Sequence, residues 1–384
     1  MARLHFIGSI SSEEVKNSSV SIAGNRCQIG ILNGLQVDNE IVQVLSYRPN
    51  RVFPYSKKIF IPHLQQAYKE IQINFLPYIN LPIIRSLLVN ISALFYLVMK
   101  IKKNDSIIFY NIYLPFPLIV FFIKKIFKLK IYILACDVHK PGQTVPNSLR
   151  WHLEYLKHKI FLPKADGVIA VSEKILIDFG CKRKSIVIEG GISSDLVEIN
   201  DLFQESDGVF RMLYAGALNK LNGVDILLKA FNQNQTKNLE LVIAGTGELS
   251  ESIKLAAKND SRIKYKGLIE HDQLMALYSN ISLLLCIRIT KEIDTGYFFP
   301  SKLLEYMSTG IPILTTDVNP TTFTLNDFCC VLEQETVDGV SDGINKCIND
   351  YSELKAKANN GKIFIKNKMI WEIQGRKISE FIKL

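Results

Sequence analysis

Apolar and polar positions alternate along this chain in blocks that predict a succession of strands and helices. In the first half, strand-like runs occupy residues 3–8, 41–47, 106–111, 130–136, 166–172 and 185–191. Segments with helical spacing lie between them, over about 24–36, 83–101, 115–127, 151–165 and 172–180. This order is typical of an α/β domain with a parallel sheet.

The same alternation restarts after a polar, poorly periodic stretch at 194–209, where we predict a linker. Strands are then predicted at 210–216, 239–247, 263–267 and 281–287, and helices at 223–232, 249–258, 271–279 and 301–309. We therefore predict two Rossmann-like, doubly wound domains, over 1–195 and 208–369. The amphipathic tail at 370–384 is predicted to be a helix that returns to the first domain.

Positive charge is concentrated in the first half of the chain. Residues 1–200 carry 25 Lys and Arg against 14 Asp and Glu, whereas the remainder carries 21 against 23. This asymmetry predicts an anionic partner for the first domain, such as a membrane surface, a phosphorylated lipid or nucleic acid. Nucleic acid is disfavoured because no recognition motif accompanies the charge.

Cysteine usage and hydropathy favour a cytoplasmic protein. Seven cysteines without a CxxC pair argue against a disulfide framework or a zinc site. The N-terminus lacks the apolar segment of a secretory signal, and charged residues or prolines interrupt the apolar windows at 81–99 and 113–136. The latter window suits either a bilayer surface or a core helix followed by a basic turn, and for the helix itself we favour the core.

The stretch YFFPSKLLEYMSTGIPILTTD (297–317) places a cation where a helix disfavours one. The helix is predicted to open at Pro300–Ser301 and to end at Gly310, so Lys302 lies in its first turn. The macrodipole disfavours a cation there by roughly 0.3–1 kcal/mol. A phosphate bound at this helix end would explain Lys302, and a surface pair with Glu305 is the alternative.

Other candidate residues have both a chemical and a structural interpretation. Glu305 can accept hydrogen bonds from both hydroxyls of a ribose, or it is an ordinary solvated glutamate. Gly245 and Gly247 allow a ligand to approach the backbone, or they form a tight turn. Asp137 and His139 follow an apolar strand, where His139 could assist proton movement or be a loop histidine.

Three blocks of this sequence resemble one family. FPSKLLEYMSTGIPIL (299–314) resembles the signature of the retaining glycosyltransferases of the GT-B fold, in the sucrose-synthase-like group called family 4. LYAGALNKLNGVDILLKAFN (213–232) and LVIAGTGEL (241–249) resemble that group's nucleotide-binding domain. Weaker similarity extends over nearly the whole chain. The resemblance implies a GT-B fold, in which two Rossmann-like domains face each other across a cleft.

The resemblance also implies roles for particular residues. The donor-binding residues would be Glu305, Lys302, Ser301, Lys220, Gly216, Gly245, Gly247, Tyr297, Gly24 and Asn25, with Glu305 on the ribose hydroxyls. Catalytic contributions are predicted for His139, Asp137 and Lys302. Tyr297 stands where the family often has a glutamate, with Glu292 and Asp294 nearby. The family's diphosphate-binding Arg and Lys correspond to Ala217 and Asn222, which leaves Lys220 and Lys302 to offset the charge.

The function implied is transfer of a sugar, with retention, from a nucleotide-sugar (a UDP-sugar on family frequency) to a saccharide or polyprenyl-diphosphate-linked glycan. The pathway would be cell-surface polysaccharide biosynthesis. No cofactor or divalent metal is expected, because no D-x-D triplet occurs. The alternative is a catalytically weak, nucleotide-sugar-binding subunit of a glycan assembly complex. A dinucleotide-dependent oxidoreductase is disfavoured because the G-x-G-x-x-G spacing is missing.

Overall fold

The computed structural model describes residues 3–11, 22–36, 42–47, 50–68, 71–82, 84–112, 116–142, 145, 147–181, 184–197, 207–234, 236, 238–291, 295–297 and 301–383. The chain divides into two compact units. Unit 1 comprises Met1–Gly191, Gly296–Phe298 and Trp371–Leu384, and unit 2 comprises Ile192–Thr295 and Phe299–Ile370.

Unit 1 begins as alternating strands and helices, as the hydrophobic pattern predicts. Its strands are β1 (Leu4–Gly8), β2 (Val42–Ser46), β3 (Phe60–Ile61), β4 (Leu64–Tyr68), β5 (Ile71–Phe75), β6 (Tyr78–Ile79), β7 (Ser106–Tyr110), β8 (Lys130–Ala135), β9 (Gly167–Ala170) and β10 (Ser185–Val187). The helices between them are α1 (Ile22–Gln36), α2 (Ile84–Lys100), α3 (Phe116–Phe127), α4 (Leu149–Phe161) and α5 (Glu173–Asp178). The main sheet has the order β10-β9-β8-β7-β1-β2-β5-β4, with β4 antiparallel to β5 and the other pairs parallel.

Unit 2 repeats this architecture around a second parallel sheet. Its strands are β11 (Phe210–Ala215), β12 (Leu239–Ala244), β13 (Ile263–Gly267), β14 (Leu283–Cys286), β15 (Ile313–Thr315) and β16 (Cys330–Val331), in the order β13-β12-β11-β14-β15-β16. Its helices are α6 (Ser194–Val197), α7 (Val224–Gln233), α8 (Ser250–Asn259), α9 (His271–Tyr278), α10 (Ser301–Thr309), α11 (Val337–Asn349) and α12 (Tyr351–Lys368). The predicted fold class of two doubly wound domains is therefore confirmed.

Different helices pack against the two faces of the unit 1 sheet, because successive side chains of a strand point to opposite faces. In β7, Ile107 and Phe109 join a core cluster to which α2, α3 and α4 also contribute. Ile108 and Tyr110 join the opposite cluster, which includes α1. Helices α2 to α4 consequently cover one face of the sheet together.

The last helix, α13 (Trp371–Lys383), packs on α1 in unit 1. Glycines permit the close approach, since a Cβ at Gly34 would lie 2.2 Å from the Trp371 carbonyl oxygen. The Tyr132 hydroxyl donates to the Ile382 carbonyl at 2.8 Å. The predicted return of the tail helix to the first domain is confirmed.

Some elements differ from the sequence prediction. The short strands β3 to β6 and the helices α11 and α12 were not predicted. Helix α11 buries Val340, Ile344 and Cys347 at helical spacing, so its pattern was present in the sequence and was missed. Residues 194–197 of the predicted linker form α6, and residues 198–206 lie outside the described residues.

Candidate functional site

The first candidate site lies where the strand order of unit 2 reverses. Strand β11 pairs with β12 on one side and with β14 on the other. Ligands of open parallel sheets bind at such a switch point, beyond the carboxyl ends of the strands. Gly216 follows β11 and Arg288 follows β14, so both residues lie at this edge.

Two glycine-containing loops are in direct backbone contact at this edge. A Cβ at Gly245, whose φ is +134°, would lie 1.8 Å from the Gly216 carbonyl oxygen, and a Cβ at Gly247 would lie 2.3 Å from the Leu218 carbonyl oxygen. The Leu218 N–H donates to the Thr246 carbonyl at 3.0 Å. These glycines are therefore required by the contact between the loops, and their proposed approach to a ligand stays a prediction.

Helix α10 brings Lys302 to the end of β11. Tyr306 is fully buried, and its hydroxyl accepts a hydrogen bond from the Ala215 N–H at 3.3 Å. This contact holds the helix against the strand end. The Lys302 ammonium consequently reaches Gly216, where an added Cβ would lie 2.6 Å from Nζ.

The environment of Lys302 disfavours its charge. Burial is the main cause that lowers the pKa of Lys302, and the nearby positive charge of Arg288 lowers it further. Cys286 and Glu305 act in the opposite direction. An anion bound beside Lys302 and Arg288 would stabilise the charged form of Lys302. It would thereby offset both the desolvation of the ammonium and its repulsion by Arg288.

Arg288 was not singled out from the sequence. Its backbone N–H donates to Thr316 Oγ1 at 3.1 Å, which ties the start of this loop to the end of β15. The sequence feature that could have identified this residue was a cation directly after the apolar run ISLLLCI. Its proximity to Lys302 could not be predicted, because β14 lies beside β11 only through the strand order.

Glu305 and Ser301 lie on the same helix as Lys302. Ser301 is the exposed first residue of α10, and Glu305 is half-buried one turn later. The charge of Glu305 raises the pKa of Lys302, so the carboxylate acts on the ammonium electrostatically. The structure thus brings together Ser301, Lys302, Glu305 and Gly216.

The two positions that depart from the family pattern are joined to each other. The Asn222 side-chain amide donates to the Ala217 carbonyl at 3.0 Å, and the Tyr214 hydroxyl donates to the same oxygen at 2.8 Å. Lys220, between them, is exposed, and its backbone N–H donates to Glu248 Oε1 at 3.1 Å. Asn222 therefore closes the loop in which the resemblance implies a cation.

In unit 1, Asn111 holds the loop that contains Asp137. Its side-chain oxygen accepts hydrogen bonds from the N–H groups of Cys136 and Asp137, at 2.9 and 3.0 Å. Its amide nitrogen donates to Asp137 Oδ2 at 2.8 Å. Asn111 was not singled out from the sequence, although an asparagine directly after a buried strand was visible.

Asp137 and His139 influence each other's protonation. Although part of the Asp137 side chain reaches solvent, desolvation of its carboxyl raises its pKa, against the opposing effects of His139 and Asn111. Burial lowers the pKa of His139, whose ring meets Trp151 edge-on at 5.0 Å between ring centroids. His139 is consequently more often neutral than a solvated histidine at the same pH, which suits a hydrogen-bonding or proton-accepting role.

A cavity of about 140 Å³ lies beside this loop, at the switch point of the unit 1 sheet between β1 and β7. Its lining is mainly apolar and includes Leu76, Val89 and Phe109. Arg85 and Asn111 supply polar groups. The Arg85 guanidinium donates from Nη1 to the Asn50 carbonyl at 2.8 Å, which fixes its position.

The other predicted residues of unit 1 make protein contacts. Asn25 exchanges two hydrogen bonds with the backbone of Ser11, at 2.9 and 3.0 Å, and the Gly24 carbonyl accepts from Gln28 at 3.2 Å. Tyr297 is buried in unit 1, and its hydroxyl donates to Asp178. These contacts position loops of unit 1, and a ligand-binding role for the three residues stays a prediction.

Neither a metal-ligand cluster nor a membrane-spanning helix occurs in the described part of the chain. Within that part of the chain, no group of three or more His, Cys, Asp or Glu side chains is arranged to hold a metal ion. None of the described helices combines the length and the apolar character needed to cross a bilayer. Glu292 and Asp294 lie outside the described residues.

Comparisons with known proteins agree with the resemblance. Residues 200–364 match the model of the family Glycosyl transferases group 1. The capsular polysaccharide biosynthesis glycosyltransferase CapM of Staphylococcus aureus is 24% identical over 263 residues, which cover 61% of this chain and 67% of CapM.

Solved structures extend the likeness to the whole chain. Sucrose-phosphate synthase from Thermosynechococcus elongatus aligns with a TM-score of 0.72 at 14% identity, over 99% of this chain and 98% of the synthase. Anabaena Alr3699/HepE in complex with UDP aligns with a TM-score of 0.70 at 14% identity, over 99% of both chains. The fold is therefore GT-B, and residues 200–364 are similar to the glycosyl transferases group 1.

Proposed function

We propose that this chain, whose residues 200–364 match the model of the glycosyl transferases group 1, transfers a sugar from a nucleotide-sugar to a saccharide or polyprenyl-diphosphate-linked acceptor. The donor would be a UDP-sugar, and transfer would proceed with retention, as in a hexosyltransferase. The pathway would be cell-surface polysaccharide biosynthesis. CapM, which is named for capsular polysaccharide biosynthesis, and the UDP complex of Alr3699/HepE support this choice.

The observation that carries the proposal is the position of Lys302. A half-buried ammonium lies in the first turn of α10, beside Gly216 and near a second cation, Arg288. A diphosphate at this helix end would accept hydrogen bonds from N–H groups of the first turn and would pair with both cations. Glu305, one turn further, would accept hydrogen bonds from the ribose hydroxyls.

In the reaction, the bond between the anomeric carbon and the donor phosphate breaks, and a bond to an acceptor hydroxyl forms. The departing nucleoside diphosphate gains negative charge, which Lys302 and Arg288 would stabilise. The acceptor hydroxyl loses its proton, and His139 beside Asp137 would assist that transfer. No divalent metal is required in this scheme, because the two cations and the helix end offset the diphosphate charge.

Unit 1 would bind the acceptor. Its apolar cavity, with Arg85 and Asn111 at the switch point, fits a ligand that combines apolar and polar groups. The positive charge of residues 1–200 would attract an anionic membrane surface, where lipid-linked glycans reside. The protein would act in the cytoplasm, at the inner face of the plasma membrane, and would not bind nucleic acid.

A thermal-shift screen against nucleoside diphosphates and their sugars tests the donor site. A matching ligand should raise the melting temperature, because it binds the folded state. Arg288→Ala should reduce the shift. Lys254→Ala should retain it, because Lys254 pairs with Glu251 on the exposed surface of α8. A screen without any stabilising nucleotide, or an unchanged shift in Arg288→Ala, would contradict the assignment.

Ala217 and Asn222 favour one alternative, a nucleotide-sugar-binding subunit with little catalytic activity. Neither position carries a guanidinium or an ammonium group, and the Asn222 amide instead closes the loop by donating to the Ala217 carbonyl. A radiolabelled transfer assay with membrane extracts distinguishes the two functions. Donor binding without transfer or hydrolysis would favour the subunit.

A further inference from the structure

We propose that the outward faces of α2, α3 and α4 form a docking surface for an anionic lipid bilayer. This inference deepens the proposed function, because it assigns the surface by which unit 1 would reach a lipid-linked acceptor. The three-helix face is defined by its exposed apolar side chains, Ile84, Leu87, Ile91, Phe95, Val98, Met99, Phe122, Ile126, Leu149, Leu153, Leu156 and Ile160.

Helix α2 carries the longest part of this face. Among its described side chains, those that are exposed are six apolar residues and then Lys100 at the C-terminus. Phe95 and Met99 are each 68% exposed. A surface helix normally turns charged and polar residues outward. An apolar stripe along a helix of about 25 Å is therefore unusual for a water-exposed surface.

The neighbouring helices continue the stripe on the same side of unit 1. Helices α2, α3 and α4 bury their inner faces in one core cluster, through residues such as Leu97, Ile123 and Phe161. Because the three helices cover the same face of the sheet, their outer faces point the same way. Phe122 on α3 is 75% exposed and Leu149 on α4 is 76% exposed, so both extend the apolar surface.

Basic residues lie at the ends of these helices, beside the apolar side chains. The exposed cations on or beside the three helices are Lys100, Lys102, Lys103, Lys125, Lys128, Lys130, Arg150, Lys159 and Lys164. Glu154, the acidic residue within these helices, pairs with Lys157. Apolar side chains inserted at the headgroup boundary, with ammonium groups among the phosphates, are the pattern of an interfacial helix surface.

The positive charge beside the three-helix face favours an anionic bilayer over a second copy of this chain as the partner. Two copies joined through the three-helix face would bring basic rims together, whereas an anionic bilayer complements them. The described helices are too short or too polar to cross the membrane, so the association would be peripheral. A bilayer in contact with this surface would take the exposed apolar side chains of α2 out of water.

Vesicle flotation of the full chain tests the surface. The wild type should bind vesicles of phosphatidylcholine with about one third phosphatidylglycerol, and should bind pure phosphatidylcholine about tenfold less. Raising NaCl to about 0.5 M should weaken the binding, because salt screens the lysines. The variant Phe95→Gln/Met99→Gln/Phe122→Gln should bind the anionic vesicles at least about tenfold less.

The matched control is Leu255→Gln/Leu268→Gln, which replaces two exposed leucines of unit 2, 60% and 79% exposed. This control should float like the wild type. Equal flotation of wild type and triple variant would overturn the proposal. So would a wild-type dimer in size-exclusion chromatography that the triple variant converts to a monomer.

Nucleotide binding separates this inference from the proposed function. The triple variant should keep the nucleotide-induced thermal shift, since its substitutions lie in unit 1. A wild type that binds vesicles but is not stabilised by any nucleotide would contradict the donor site alone. A wild type that is stabilised by a nucleotide but does not float would overturn the docking surface alone.

Discussion

Units 1 and 2 have the same architecture but different surfaces. Both contain a doubly wound parallel sheet with a switch point. In unit 2 that point carries Lys302 and Arg288, whereas in unit 1 it carries a mainly apolar cavity with Arg85. Among the described residues, nineteen exposed large apolar side chains lie in unit 1 and four in unit 2.

If unit 2 binds the donor and unit 1 the lipid-linked acceptor, as we propose, each of the two similar domains has the surface that its ligand requires. A small, highly charged ligand needs cations and a helix end, which unit 2 supplies. A ligand with a lipid portion needs apolar surface and a basic rim, which unit 1 supplies. The shared fold sets where a ligand binds, and the side chains at the strand ends and on the outer helices set which ligand.

The largest expected effect is the loss of transfer in Lys302→Ala. Removing a cation that stabilises a leaving group should lower kcat by about 10²–10³-fold. The melting temperature should not fall, because burial disfavours the charge of Lys302 in the folded protein. Steady-state kinetics beside a thermal melt measures both quantities. Unchanged turnover would show that unit 2 does not use this cation.

Gly245→Ala should destabilise unit 2 strongly. The new Cβ would overlap the Gly216 carbonyl oxygen, and φ at Gly245 is +134°. We expect a loss of at least about 3 kcal/mol in the free energy of unfolding. Gly180→Ala in unit 1 is the matched control, because φ is +69° there and no atom lies within 4 Å. It should cost about 1–2 kcal/mol. Denaturant unfolding that finds equal costs would contradict the loop contact.

Asn111→Ala should affect the part of the reaction that depends on unit 1 and leave donor binding by unit 2 unchanged. It removes the partner of Asp137 and of two backbone N–H groups, at a residue with φ of +58°. The expected cost is about 2–3 kcal/mol, with slower transfer and an unchanged donor affinity. Asn319→Ala controls for backbone strain, because φ is +48° at this exposed residue. Isothermal titration that finds weakened donor binding in Asn111→Ala would argue against this assignment of the two ligands to the two units.

The smallest expected effect is a pH dependence of donor affinity. The diphosphate binds the charged form of Lys302, so affinity should be constant below the pKa of Lys302 and fall as pH rises through it. Because burial and Arg288 lower that pKa, the fall should begin at a lower pH than for a surface lysine. Lys302→Arg should remove this fall, since the guanidinium stays charged over this pH range. The nucleotide base titrates equally with both proteins, so its contribution cancels when the two affinity profiles are subtracted. Identical pH profiles would contradict the role of Lys302.

Much of the fold could be predicted from local patterns. The strands β7, β8, β11, β12 and β14 are buried apolar runs, and these runs with their polar boundaries placed them. Helix α10 was predicted from Ser301 and Gly310, which fixed Lys302 and Glu305 one turn apart. The short strands β3 to β6 escaped prediction, because each contains exposed positions and so lacks the continuous apolar run that marks β7 and β14.

The sequence by itself determined the order of the elements, the excess of positive charge in the first half, and the placement of Lys302 in a first helical turn. Each of these depends on residues that are neighbours in the chain. The tertiary structure decided that Arg288 lies near Lys302, that Asn111 holds Asp137, and that Tyr297 is buried in unit 1. It also left the apolar face of α2 exposed, although its composition alone predicts burial. These features depend on strand order and helix packing, which join residues far apart in sequence and are not encoded in any local period.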